Sequence, residues 1–177
     1  MAYWFWTFFL YSFGGYGLEK WYARATRAEN QTRKCLLGLP LCPVYGLALT
    51  AVLALPETLQ KAPWLPFSGA AVTTAVEYLY HWGCERFLGV RFWDYSAVRG
   101  NLRGRVCLPF TLVWGVLTAA ALTLLQPLLE RLILRIPPEA TFAAVLLFTA
   151  DAVCSVRFLR LTHDPAGLHL RNLRPAG

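Results

Sequence analysis

Glu77, His81 and Glu85 recur at four-residue spacing inside an otherwise apolar segment. On a helix they share one face within about 80°. Carboxylates so placed can relay protons or hold a cation, and an imidazole between them adds a nitrogen ligand. Three ligands from one helix face seldom converge on a single ion without a fourth from elsewhere. Glu77, His81 and Glu85 are therefore weak metal candidates, and no cofactor is expected. Ser96 and Cys84 lie near His81 in sequence, but no nucleophile elbow or oxyanion motif accompanies them.

The same stretch continues through Phe92-Trp93-Asp94-Tyr95-Ser96 to Asn101-Leu102-Arg103-Gly104-Arg105. Arg105 carries a planar fork that can clamp Glu85 or Asp94, or hold an anionic headgroup or substrate. The Trp93-to-Ser96 run reads either as an interfacial turn capped by Asp94 or as a lid over a polar pocket.

Those residues need elements to position them, and the composition points to a bilayer. Hydrophobic residues make up 56% of the 177 and charged residues 15%, well under the ~25% of soluble domains. One soluble core of this size cannot hide that much apolar surface. The net charge of +7 is spread between apolar spans, not along one face, so nucleic acid is not an expected partner; the lipid bilayer is. The five cysteines (Cys35, Cys42, Cys84, Cys107, Cys154) form no CxxC pair and read as reduced packing residues.

The fold class expected is an all-α, polytopic membrane bundle of about five transmembrane helices. Span one, about 3–22, opens with aromatic residues and reads as a retained span and not a signal peptide. Its Gly14, Gly15 and Gly17 invite close approach of a neighbour. Pro40 and Pro43 interrupt the second apolar region, leaving residues 38–46 either re-entrant or a kinked helix, followed by a helix from about 43 to 55. Span three covers about 64–88, span four about 105–126 with Pro127 beginning its exit, and span five about 139–161. Residues 1–161 form one transmembrane domain on this scheme, and 162–177 a basic, flexible cytoplasmic tail.

Five spans place 14 of the 17 Lys and Arg on one side and Lys61, Arg131 and Arg135 on the other. The 14 are Lys20, Arg24, Arg27, Arg33 and Lys34 at the first loop, Arg86, Arg91, Arg99, Arg103 and Arg105 at the third, and Arg157, Arg160, Arg171 and Arg174 at the C-terminal end. The positive-inside rule puts that side in the cytoplasm of a cell-membrane protein, with the N-terminus outside. Glu77 and Asp151 then fall near the bilayer midplane, where an acidic residue costs roughly 2.5 to 3.5 kcal/mol. They should turn inward, toward each other, toward Tyr or Asn donors, or toward water. Each is a candidate protonatable relay or, more plainly, interhelical hydrogen-bonding glue.

Four blocks carry a family resemblance. They are Tyr11-Ser12-Phe13-Gly14-Gly15 with Glu19; Gly38-Leu39-Pro40-Leu41-Cys42-Pro43-Val44-Tyr45-Gly46; Glu77-Tyr78 with Glu85 leading to Trp93-Asp94-Tyr95-Ser96; and Asn101 to Arg105 followed by Trp114-Gly115. In order and spacing they resemble the CmpB-type ABC-transporter type IV family of small membrane proteins, over most of residues 11 to 115. The resemblance implies a multi-span inner-membrane fold and a permease-like role. His81 departs from the small polar residue the family pattern has there, which weakens a metal reading further.

The first expectation is a transport or permease-like component with a polar pocket in the cytoplasmic half of the bundle. Its candidate residues are Glu19, Tyr45, Glu77, Tyr78, Glu85, Trp93, Asp94, Tyr95, Asn101, Arg105 and Asp151, and its ligand is a small solute or lipid. No GxxxxGK[ST] loop is present, so ATP-driven work needs a separate ATPase. Five spans also fall short of a full alternating-access carrier, which calls for a homodimer or partner subunits. The alternatives are an intramembrane enzyme acting on a lipid or prenyl phosphate, with Arg105 on the phosphate, and a non-catalytic scaffold or regulatory subunit.

Overall fold

Proline decides where most of the helices begin. In the computed structural model, which describes residues 1–26 and 35–168, α2 (Pro43–Leu53), α3 (Leu65–Leu88), α4 (Leu108–Ile133) and α5 (Pro138–Thr162) each carry Pro in their first two positions. There its missing N–H is an orphan donor anyway, and its fixed φ suits the first turn. Only α1 (Ala2–Ala25) starts without one. The basic residues Arg27, Arg33, Lys34, Arg171 and Arg174 lie outside the described residues, as does most of the tail.

The described residues are mostly helical, in five helices, with two single 3-10 turns at Glu57–Gln60 and Pro165–Leu168 and a small hairpin. α4 and α5 are long and apolar enough to cross a membrane, and their apolar windows are only 17% and 11% buried. Their outer faces present Leu112, Val116, Leu124, Phe142, Leu146 and Leu147 to the surroundings. α1 and α3 have spanning length at 24 residues each. α2 has 11 residues, about 16 Å at 1.5 Å per residue, short of a ~30 Å hydrocarbon layer.

α3 is the spine. Its buried residues Leu65, Gly69, Thr73, Glu77, His81, Cys84 and Leu88 recur almost every four positions, a row that winds slowly round the helix and suits ridge-into-groove packing. Small residues bring α4 onto it. A Cβ on Gly69 would stand 2.8 Å from Thr118 Cγ2, and one on Gly115 would stand 2.7 Å from the Pro66 carbonyl oxygen. α1 meets α2 in the same way. Gly15 lies under the Tyr45 ring, and a Cβ on Gly46 would reach 2.7 Å from Phe8 Cδ2. Of the three α1 glycines expected to admit a neighbour, Gly15 does so; Gly14 and Gly17 face open space.

Residues 36–40 are bends, not helix, yet Cys35, Leu37, Leu41 and Cys42 are buried. The neighbouring helices satisfy the irregular backbone. Gly38 N donates to Ser155 Oγ at 3.0 Å, Leu39 N to Asp151 Oδ2 at 3.0 Å, and Cys42 N to the Ser12 carbonyl at 2.8 Å. This is what buried non-helical backbone requires.

Two expectations need correction. The helix that begins at Leu108 does not end at Pro127 but runs to Ile133. A π turn at Ala121–Leu125, in which Gln126 N reaches back to the Ala121 carbonyl, widens the helix just before the proline. That removes the clash a proline otherwise makes with the preceding turn. The loop after α3 also contains a hairpin, β1 (Asn101–Leu102) with β2 (Val106–Cys107), antiparallel with Leu102 opposite Val106. Arg103 (φ 54°), Gly104 (φ 69°) and Arg105 make its three-residue connection; the chain reverses at the first two, both left-handed, and Arg105 N donates back to the Leu102 carbonyl at 3.1 Å.

Candidate functional site

Glu77 is buried on α3 with two donors and no cation among the described residues. Trp114 Nε1 from α4 donates to Oε2 at 2.9 Å, and the Tyr95 hydroxyl donates to Oε1 at 3.3 Å. Tyr95 is held in place by stacking on Phe110, with ring centroids 5.0 Å apart. Trp114 in turn packs against Tyr45, centroids 4.9 Å apart, whose hydroxyl donates to Glu19 Oε1 at 2.9 Å. Glu19, Tyr45, Trp114, Glu77 and Tyr95 thus form one continuous cluster drawn from α1, α2, α3, α4 and the loop.

One turn along α3, His81 Nε2 lies 2.8 Å from the Trp93 carbonyl oxygen. Facing a carbonyl, that nitrogen carries the proton and donates, which leaves Nδ1 as a buried acceptor without a partner. Trp93 is pinned from its other side, its Nε1 donating to the Arg105 carbonyl at 2.9 Å. His81 is therefore a bracket for the loop.

Glu85 and Arg105 close the row. Arg105 Nε and Nη2 both reach Glu85 Oε2, at 3.1 and 2.8 Å, while Nη1 donates to the Tyr78 hydroxyl at 2.9 Å. Arg91 bonds the other Glu85 oxygen. The carboxylate spans two guanidinium groups, and the Arg105 planar fork suits it better than an ammonium would.

Asp94 builds the turn. Its Oδ1 accepts the Ser96 N–H at 2.8 Å and the Ser96 hydroxyl at 2.5 Å, and these bonds hold the Asp94 carboxyl below the usual carboxylate range. Asn101 crosses the loop, donating to the Val98 carbonyl at 2.7 Å and accepting from Gly104 N at 3.0 Å. Gly104 has room for nothing larger, since a Cβ there would stand 2.7 Å from Asp94 Oδ1.

Asp151 stands apart from this set. It shares no partner with Glu77, binding instead the backbone of residue 39 and, through Oδ1, Ser155 Oγ at 3.5 Å. The three residues weighed for a metal each use separate partners, and among the described residues no three His, Cys, Asp or Glu side chains converge. All five cysteines are free thiols, four of them buried and Cys154 exposed.

A further network was not anticipated. The Tyr11 hydroxyl donates to Gln126 Oε1 at 2.9 Å, Gln126 Nε2 donates to Glu130 Oε1 at 3.0 Å, and the Tyr3 hydroxyl donates to the same oxygen at 3.0 Å. It ties the far end of α1 to α4. The visible signal is Gln126 and Glu130 one helical turn apart beside Pro127, a pattern hidden by ending the span at the proline.

Between α1, α2 and α4 lies a cavity of about 400 Å³. Its walls are almost wholly apolar, and the rings of Tyr45 and Trp114 separate it from the two carboxylates.

Fold and site define a mostly helical protein, with an internal polar seam and two long helices whose apolar sides face outward. The chain belongs to the family described as "Putative ABC-transporter type IV", whose model matches residues 6–156. That match extends past the motif blocks to take in Asp151 and Ser155. No curated protein and no solved structure matches the chain.

Proposed function

We propose that this chain is a multi-pass membrane protein acting as a permease-like component of a transport system. The observation that carries it is the lipid-compatible exterior of α4 and α5. A soluble core helix would be mostly buried, whereas these windows are 17% and 11% buried. Family membership supports the transport role. On this proposal residues 1–161 form the membrane domain and 162–177 a cytoplasmic tail. The Glu85–Arg105 hairpin end faces the cytoplasm, and α2 with its irregular lead-in crosses beside α1. Glu77 lies at mid-membrane with Tyr95 and Trp114, and Tyr78, Glu85, Trp93, Asp94, Asn101 and Arg105 form the cytoplasmic rim of a solute-binding region. Asp151 is assigned to the helix-to-loop clamp. A separate ATPase or a second copy supplies what five spans lack.

A scaffold role has one observation in its favour: the polar side chains of the seam are largely engaged with one another. Charge-neutral Glu77→Gln and Arg105→Gln variants separate the two. Loss of transport-dependent growth with normal insertion and melting supports the permease role; unchanged growth leaves the scaffold. A reporter fused after Gly177 should read cytoplasmic and one inserted near Glu57 should read external. The reverse pattern overturns the topology.

A further inference from the structure

Tyr45 and Trp114 are wired alike. Each ring gives its polar hydrogen to a carboxylate, Tyr45 to Glu19 and Trp114 to Glu77, both at 2.9 Å, and each ring lines the same 400 Å³ cavity. A ring that donates its hydrogen to an anion becomes more electron-rich, which deepens the negative potential over its π face. Two carboxylates therefore stand behind a pair of aromatic walls. Among the described residues no Lys or Arg is bonded to either carboxylate.

The rest of the cavity is hydrocarbon. Leu49, Leu117 and Ala121 supply apolar wall, and Gly14 leaves space where a side chain would intrude, since a Cβ there meets nothing within 4 Å. The volume falls within the ~300–1,000 Å³ usual for small-molecule sites. A neutral hydrocarbon would gain only the apolar contact. A lipophilic anion would meet electron-rich rings backed by carboxylates. A lipophilic cation gains the apolar contact and cation–π attraction together, and in a desolvated site that attraction is at its strongest.

We propose that the cavity between Gly14, Tyr45, Leu49, Trp114 and Ala121 binds a lipophilic organic cation of the quaternary ammonium or phosphonium class, taken up from the bilayer. The proposal rests on the membrane-embedded reading and not on transport. It also runs against the overall charge, because a chain of net charge +7 attracts anions non-specifically. A preference for the cation must then come from the site.

The test uses the full-length chain in nanodiscs of zwitterionic lipid, with tetraphenylphosphonium and tetraphenylborate as probes of matched shape and opposite charge. Binding is measured by equilibrium dialysis against empty nanodiscs. The expected result is saturable phosphonium binding and none of the borate. Gly14→Leu, which fills the cavity without touching the carboxylate bonds, should abolish it; Ala120→Leu, on the cavity's outer wall, serves if the first variant fails to fold. Glu19→Gln keeps an acceptor for Tyr45 and should weaken phosphonium binding about three- to tenfold while improving borate binding. Equal binding of both ions, or no binding of either, overturns the proposal alone. So does phosphonium binding that survives a folded cavity-filled variant. Failure of the chain to enter nanodiscs overturns it together with the membrane reading.

Discussion

Removing the Asp151 carboxylate should loosen a segment 112 residues away in sequence. Its Oδ2 accepts the Leu39 N–H at 3.0 Å, and the adjacent Ser155 Oγ takes the Gly38 N–H at the same distance. Residues 36–40 form no helix, so these amides have no repeating partner to fall back on. A hydrogen bond to a charged acceptor contributes roughly 1.5 to 3 kcal/mol, and a buried donor left unpaired costs about 1 to 3. Asp151 and Leu39 are only half-buried, which lets water repair part of the loss and puts Asp151→Ala near ~1.5 kcal/mol. Asp151→Asn keeps a neutral oxygen acceptor and should lose roughly half of that, while Ser155→Ala, losing one neutral bond, should cost about 1 kcal/mol. The double variant should fall short of the sum, since both bonds hold one loop. Reversible unfolding in mixed micelles gives the free energies, and hydrogen exchange at Gly38 and Leu39 locates them. If Asp151→Ala melts as the wild type does with unchanged exchange at these amides, the clamp is not what holds this segment. If Asp151→Asn and Asp151→Ala are equally damaging, the negative charge and not the acceptor is what matters.

Gly15→Ala should destabilise by about 1 to 3 kcal/mol through overpacking against Tyr45, whereas Gly17→Ala, facing open space, should be neutral or stabilising by up to ~1 kcal/mol; thermal melting in one detergent compares them. Arg105→Lys keeps the charge but cannot reach Glu85 and Tyr78 together, so limited proteolysis of the 89–107 loop should accelerate, and an unchanged cleavage rate would argue against the fork geometry. Gly104→Ala combines left-handed strain with overlap on Asp94 and should cost about 1 to 3 kcal/mol, read as lost protection at Tyr95 N. Because the Asp94 carboxyl is held below its ordinary value, its contribution to the turn is present at neutral pH and is lost as pH falls through the folded value. Exchange at Ser96 N should rise only once the pH falls beneath the ordinary carboxylate range in the wild type, and show no such transition in Asp94→Asn.

Much of the element pattern was legible in the chain. The prolines at the helix starts, the break before Pro43 and the four-residue repeat of polar groups on α3 all follow from local backbone chemistry. The π turn and the hairpin were not. Pro127 reads as a helix end unless a widened turn precedes it, and that turn is stabilised by α1, where the Tyr11 hydroxyl reaches the Ala121 carbonyl at 3.4 Å. The hairpin's signal, Arg103-Gly104-Arg105 between two-residue strands, is too short to register as alternation over four residues or more.

The sequence by itself determined which residues carry charge in an apolar setting, where helices can start, and that Glu77, His81 and Glu85 share a face. Local sterics and a fixed 3.6-residue turn decide those. Tertiary structure alone decided the partners. Glu77 meets Trp114 across 37 positions, Asp151 meets Leu39 across 112, and Glu19 meets Tyr45 across 26. Each pairing depends on how closely two backbones approach, which Gly15, Gly46, Gly69 and Gly115 permit but no local pattern specifies. The cavity beside Tyr45 and Trp114 is the space left over once those approaches are made.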